Sequence, residues 1–269
     1  MTDDRILAFA RLHESGCFVM PNPWDLGSAR LLVQLGFPAL ATTSSGFAWA
    51  QGVADNAPTL EATLAHFRSL SEGVPVPVNG DFTNGFAVDP ERVGANVRAA
   101  AATGIAGLSI EDSTGDTGDP LFDLELSVQR VRAARRAIDE SGSGVLLTAR
   151  SEGFIVGRPD LTEAIRRLTA YAEAGADCLY APGVRSVEDI RAVVKAVAPK
   201  PVNVLVGSDF TSVAEMKDLG VRRISVGGAL ARAAWGGFLR AAREIAEKGT
   251  FTSFAQAVSF ADIDGAFDR

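Results

Sequence analysis

Several short apolar runs in this chain break off at residues that can do chemistry. Val76–Asn79 turns polar and glycine-rich at Gly80 and Asp81, and Gly107–Ile110 ends in Glu111-Asp112-Ser113. Val145–Thr148 leads to Arg150-Ser151-Glu152, Pro38–Thr42 to Thr43-Ser44-Ser45-Gly46, and Cys17–Met20 to Asn22-Pro23-Trp24-Asp25. A carboxylate at the mouth of a buried strand must be solvated, paired or bound to a cation, because burying it alone costs too much. Carboxylates mixed with hydroxyls suit Mg²⁺ or Mn²⁺, hard cations that take oxygen ligands. An arginine among them holds a carboxylate or a developing oxyanion by paired hydrogen bonds. The Ser44-Ser45-Gly46 turn offers backbone N–H groups to an anion. Together these describe a site for a small anionic acid beside a metal. Any one of the acids alone reads equally well as a helix cap, a turn residue or half of a structural ion pair.

Missing residue types narrow the chemistry. Every lysine (Lys195, Lys200, Lys217, Lys248) falls on a helix or beyond one, which disfavours a Schiff-base mechanism. His13 and His66 lie in helical segments, expected outside the mouth, so a zinc-histidine site is not indicated. Neither a P-loop nor a dinucleotide fingerprint is present, and Gly227-Gly228 offers at most a weak phosphate-binding turn or a packing contact. A net charge of −7 argues against nucleic-acid partners and anionic lipid, and no apolar run is long enough to span a bilayer. The acidic N-terminus lacks the basic start of a signal peptide, and Cys17 and Cys178 fall in separate apolar runs, read as free thiols of a cytoplasmic protein.

The elements that must position these residues repeat one rhythm: a short apolar run, a polar turn, then an amphipathic segment. Helices are expected at Ser28–Leu35, Leu60–Ser71, Pro90–Thr103, from Leu124, from Asp160 and at Val187–Val197, with Cys178–Tyr180, Val202–Val206 and Ile224–Val226 completing the strands. Eight such units in 269 residues predict an α/β fold, a (β/α)8 barrel over 1–248, in preference to an open doubly wound sheet. Residues 249–269 follow as a C-terminal helical extension. Its Phe251, Phe254, Phe260 and Phe267 need cover, either under the barrel or on a neighbouring subunit, and the second is preferred.

The same residues, in order and at successive strand ends, resemble the isocitrate lyase/phosphoenolpyruvate mutase superfamily over nearly the whole chain. The matching pieces are Asn22-Pro23-Trp24-Asp25, Ser44-Ser45-Gly46, Gly52-Val53-Ala54-Asp55, Asp81 before Gly85-Phe86, Ile110-Glu111-Asp112-Ser113, Ala149-Arg150-Ser151-Glu152 and Asn203. The resemblance implies a Mg²⁺-dependent barrel acting on 2-oxo acids through an enolate-like intermediate. It also implies a homo-oligomer, a tetramer or dimer, whose C-terminal helices swap between subunits. By matched position Asp81 is the central metal-binding acid, Glu111 its water-mediated partner and Asp55 an acid near the metal. Ser44, Ser45 and Gly46 hold the substrate carboxylate, Asn203 is a polar substrate contact, and Arg150 stabilises the oxygen that gains charge. Trp24 and Gly227 are read from their strand-end positions as further substrate contacts, with packing an equal alternative.

Three departures bear on the subfamily. The cysteine-bearing segment of the isocitrate and methylisocitrate lyases is replaced by Ser113–Asp119, which argues against those activities. Thr83 stands where the family has a second metal-side aspartate, and Pro182 where the lyases carry a glutamate. The stretch with Gly115, Asp116 and Gly118 still suits a mobile lid, although it lacks the lysine and asparagine of a phosphonomutase gating loop. The reading is cleavage of a C–C or C–P bond in a small 2-oxo acid, oxaloacetate-like first. The alternatives are phosphonopyruvate or carboxyphosphonoenolpyruvate chemistry, and a non-catalytic barrel that binds an organic acid.

Overall fold

A computed structural model describes residues 4–267. Its strands are β1 (Phe18–Met20), β2 (Leu40–Ala41), β3 (Val78–Asp81), β4 (Gly107–Glu111), β5 (Leu146–Arg150), β6 (Cys178–Tyr180), β7 (Val202–Leu205) and β8 (Arg223–Ser225). All pair in parallel, in the order β1-β8-β7-β6-β5-β4-β3-β2. The ends of this sheet meet where the Ala41 N–H donates to the Pro21 carbonyl at 3.0 Å, just past β1. The result is a nearly closed (β/α)8 barrel, as expected.

Helices α1 (Asp4–Leu12), α2 (Leu26–Gln34), α3 (Ser44–Ala50), α4 (Leu60–Gly73), α5 (Pro90–Ala101) and α6 (Leu124–Ser141) cover the first half of the chain. They are followed by α7 (Leu161–Glu173), α8 (Val187–Val197), α9 (Val213–Asp218), α10 (Ala229–Lys248) and α11 (Phe260–Asp264). Side-chain caps set many of the starts. Asp25 and Ser28 form a reciprocal capping box on α2, and Asp89 accepts from the Arg92 N–H with Pro90 opening α5. The expected helix ranges did not include α3, which begins at Ser44, α9 or α10.

Successive strand residues point to opposite faces. One set, including Val78, Leu108, Ile110, Leu147, Leu179, Val204 and Ile224, is buried in the main apolar core. The other set faces the barrel axis and is polar: Asn79, Ser109, Thr148, Asn203, Arg223 and Ser225 are all buried. The strands are therefore not the continuous apolar runs inferred from sequence; apolar faces pack outward on helices and polar faces inward. Arg223 is tied by Nε to Asn203 Oδ1 at 2.9 Å and by Nη2 to Thr148 Oγ1 at 3.0 Å. Its Nη1 lies 3.3 Å from His13 Nε2, and burial, followed by this guanidinium, lowers His13 to about 3.

Phe251, Phe254 and Phe260 are exposed, as are Trp235, Phe238 and Leu239 on α10. The far end of the extension touches its own chain, where the Gln34 side chain donates to the Ala266 carbonyl. Among the described residues, no helix is long and apolar enough to cross a membrane.

Candidate active site

Asp81, Glu111 and Arg150 are the last residues of β3, β4 and β5, so the ladder runs one residue past the expected strand end at Glu111 and two at Asp81 and Arg150. Register places Glu111 beside Arg150, and Arg150 beside Tyr180 at the end of β6. The Arg150 guanidinium gathers the acids: Nη1 to Asp81 Oδ1 at 2.8 Å, Nη2 to Glu111 Oε2 at 3.2 Å, and Nε to Glu152 Oε1 at 2.8 Å. It also lies 5.1 Å from the centre of the Tyr180 ring. Burial alone would lower Arg150, but Glu152, Glu111 and Asp81 overcome it and hold the cation well above its ordinary value.

The second oxygen of Asp81 accepts from the Ser44 N–H at 3.0 Å, and the Asp81 N–H donates to Thr42 Oγ1 at 2.8 Å. The amide expected to meet a substrate carboxylate therefore positions Asp81 instead. Ser45 keeps its hydroxyl near Thr43 Oγ1 at 3.1 Å and lines the mouth with Asn22, Asp55, Asn203 and Gly227. This mouth cavity measures about 280 Å³. Gly46 and Trp24 are not in its wall: a Cβ on Gly46 would stand 2.7 Å from Thr43 Cγ2 and 3.0 Å from Trp24 Cβ, so Gly46 lets helix α3 close on Trp24.

A second cavity of about 290 Å³ opens beside the mouth and shares Thr42, Thr43, Ser44 and Asp81 with it. Thr83, Glu111 and Gly115 line it, together with His66, Phe47, Phe67 and Phe86. Asp116 and Gly118, the other expected lid residues, lie outside both walls in an exposed turn. That turn is held by a Ser113–Leu121 bridge and by the Gly118 N–H on Asp116 Oδ1 at 2.8 Å. Thr83 has φ +44°, a left-handed conformation that a β-branched residue rarely adopts.

Glu111 and Asp112 are adjacent but face opposite ways. Asp112 is buried among the helices, where it accepts from Tyr171 Oη at 2.7 Å, Arg167 Nη1 at 3.0 Å and the Glu152 N–H at 2.8 Å. It fastens β4 to α7 and lies outside the mouth. Asp25 is likewise a helix cap. His66 lies on α4 outside the mouth, as expected, but it lines the adjoining cavity. Tyr180 and Arg223 also line the mouth and were not anticipated; the strand alternation that places Arg150 inward also points Tyr180 inward.

Burial, together with the charges of Glu152, Asp81 and Asp112, pushes Glu111 well above the ordinary carboxyl range, with Arg150 offsetting part. Glu152 is raised for the same first reason, and partial burial at the rim raises Asp55. Asp81, Glu111, Glu152 and Asp55 thus share one arginine, and an added cation would relieve them. Among the described residues, no three histidine, cysteine or acidic side chains converge as a metal cage. The donor set fits a hard cation that keeps several waters and takes few protein oxygens, the habit of Mg²⁺.

The family model for phosphoenolpyruvate phosphomutase matches residues 9–246. A solved Burkholderia cenocepacia structure described as a lyase/mutase superposes with a TM-score of 0.96 at 46% identity, covering 99% of this chain and 96% of its own. A Mycobacterium tuberculosis protein of uncharacterized role is 30% identical over 224 residues, 82% of either chain. Oxaloacetate decarboxylase of Paraburkholderia xenovorans is 30% identical over 196 residues, 69% of this chain and 63% of that one.

Proposed function

Since the chain belongs to the phosphoenolpyruvate phosphomutase family, within the isocitrate lyase/phosphoenolpyruvate mutase superfamily of lyases and mutases, we propose that it cleaves a carbon–carbon bond at the third carbon of a small 2-oxo acid, with an oxaloacetate-like acid as substrate. The observation that carries this reading is the contact of Arg150 with Asp81 and Glu111 at three adjacent strand ends, open to a cavity of small-acid size. Likeness to oxaloacetate decarboxylase supports the choice of acid.

Asp81, with Glu111 behind it through water and the Thr83 hydroxyl nearby, would hold Mg²⁺ or Mn²⁺, which when bound supplies positive charge to the 2-oxo group. Arg150 donates from a planar fork, and its three carboxylate contacts leave further N–H groups for the oxygen that gains charge as the bond breaks. The Ser44 amide fixes the orientation of Asp81, and Ser45, Asn22 and Gly227 line the space for the acid. A general acid is not required for cleavage, since water can return a proton to the enolate. Phosphonopyruvate chemistry is disfavoured because the lid between Ser113 and Leu121 carries no cation.

A second reading, a barrel that binds an organic acid without turning it over, is favoured by one observation: Arg150 already has three carboxylate partners. One experiment separates the two. Decarboxylation of oxaloacetate and proton–deuterium exchange at the pyruvate methyl are followed by NMR with and without Mg²⁺, with Asp81→Ala as control. Metal-dependent turnover or exchange lost in the variant supports the enzyme. Binding of both acids with neither reaction supports the binding-only barrel.

A further inference from the structure

Beyond its acid end, where Asp81, Glu111 and Thr83 would hold the cation, the cavity beside the mouth has no role in the reaction of a four-carbon acid. Each of the two cavities alone approaches the lower limit of ordinary ligand pockets, roughly 300 Å³. An oxaloacetate-sized acid anchored at Arg150 and Asp81 leaves the second one to be filled.

The walls of that second cavity differ from those of the mouth. Phe47 and His66 stack with ring centres 4.1 Å apart and planes 16° apart. Phe67 lies against β3, an approach that depends on Gly80: a Cβ there would stand 2.6 Å from Phe67 Cε2. Phe86 and Thr63 add to the wall, Asn56, Asn84, Ser113 and Thr114 supply neutral polar groups, and the wall contains no lysine or arginine. Asp81 and Glu111 stand at the shared end, where the cation would sit, and past that end the wall has no cationic side chain to hold an anionic group.

His66 marks the chamber as more than a packing gap. Its side chain is nine-tenths buried and its Nε2 has no hydrogen-bond partner. Buried polar groups are nearly always satisfied, so an orphaned one calls for a water or a ligand. Burial holds the imidazole at about 4, against a weak opposing pull from Asp25, so at neutral pH it is uncharged. A neutral imidazole offers one donor and one acceptor, which suits a hydroxyl, carbonyl or amide.

We propose that this chamber receives a substituent on the third carbon of the 2-oxo acid, so that the preferred substrate carries an uncharged alkyl or aryl group there, with any neutral polar atom met by His66. This rests on the functional reading above for the placement of the acid, and it adds the class of substituent.

The test is calorimetric binding in the presence of Mg²⁺ of pyruvate, 2-oxobutanoate, 2-oxohexanoate and 4-phenyl-2-oxobutanoate to the wild-type chain, Thr63→Phe and Thr63→Val. In the wild type, affinity should rise about fourfold per buried methylene, the factor that corresponds to about 0.8 kcal/mol. Thr63→Phe should abolish that gain while pyruvate binds as before, and Thr63→Val should keep it. Should Thr63→Phe fail to fold, the wild-type series decides alone. A flat series with pyruvate still bound overturns the chamber and leaves the enzyme reading intact, as does a chain-length gain that survives Thr63→Phe. Failure of every acid to bind, pyruvate included, overturns both.

Discussion

Nη1 of Arg150, at the end of β5, stands 2.8 Å from Oδ1 of Asp81, at the end of β3, so the pair reaches across β4 between them. The same guanidinium contacts Glu111 on β4 at 3.2 Å, and three consecutive strands meet at one planar cation. A planar fork can serve several directions at once, whereas a lysine ammonium at the same charge is a point with a different reach. Arg150→Lys is expected to fold and to lose about 10²- to 10³-fold in kcat/KM, the typical cost of one oxyanion donor. Steady-state kinetics beside a thermal melt checks both halves of that expectation.

Asp112 and Asp81 should separate stability from activity. Removing the Asp112 carboxylate strands Arg167 and Tyr171 in the interior, where breaking a buried pair costs about 3–5 kcal/mol. Asp112→Ala should lower Tm by on the order of 10 °C. Asp81→Asn should melt within a few degrees of the wild type, on the order of 1 kcal/mol, and lose metal-dependent turnover. Equal losses of stability in both would contradict the division of the two acids between helix layer and mouth.

The raised position of Glu111 sets a pH dependence. A carboxyl that holds its proton more tightly when folded than when unfolded favours the fold at low pH. That contribution is lost as pH rises from the unfolded value, about 4.3, through the raised folded one. Glu111→Gln removes the titration, so the Tm of the variant should gain on the wild type as pH goes from 4 to 8. Mg²⁺ should raise the wild-type Tm more at the upper end of that range. Parallel melting curves would show that Glu111 does not titrate differently on folding.

Thr83 offers a gain of function. It lies beside Asp81 and Glu111 in the cavity wall, with a positive φ that aspartate tolerates better than a β-branched residue. Thr83→Asp should therefore lower the half-saturating Mg²⁺ concentration, by roughly tenfold if the new carboxylate contributes about 1.4 kcal/mol, without loss of stability. A metal titration of activity, paired with a melt, measures both.

Much of the barrel was legible because the strands' outward faces are apolar and most helices carry their own start signal, as Asp89-Pro90 and Ser186 do. The acids at the ends of β3, β4 and β5 were legible for the same reason: a polar break after a short apolar run marks a strand mouth. Helix α3 was hidden, since Ser44-Ser45-Gly46 reads locally as a turn and only the Thr43 cap and tertiary packing make it helical. The direction of Asp112 was recoverable from strict alternation after Glu111, but an acid in an apolar layer becomes credible only once Arg167 and Tyr171 arrive from α7. His66 was unreadable, because its place beside the mouth depends on how α4 leans against β3 through Phe67.

The join between β1 and β2 differs from the other seams of the barrel. The Ala41-to-Pro21 bond is supplemented there by a side chain: Asn22 Nδ2 donates to the Thr42 carbonyl at 2.8 Å, and Asn22 Oδ1 accepts from the Val226 and Gly227 N–H groups at 2.9 Å each. One amide thus stands in for missing rungs between the first and second strands and ties that seam to the chain just past β8. The ring has a clasp, and α3, with Ser44 and Ser45, hangs from the side that the clasp secures. Native-state amide exchange should be fastest among the strands at Ala41 and Thr42, and Asn22→Ala should let that arc of the wall breathe while the opposite side, β4 to β6, stays shut.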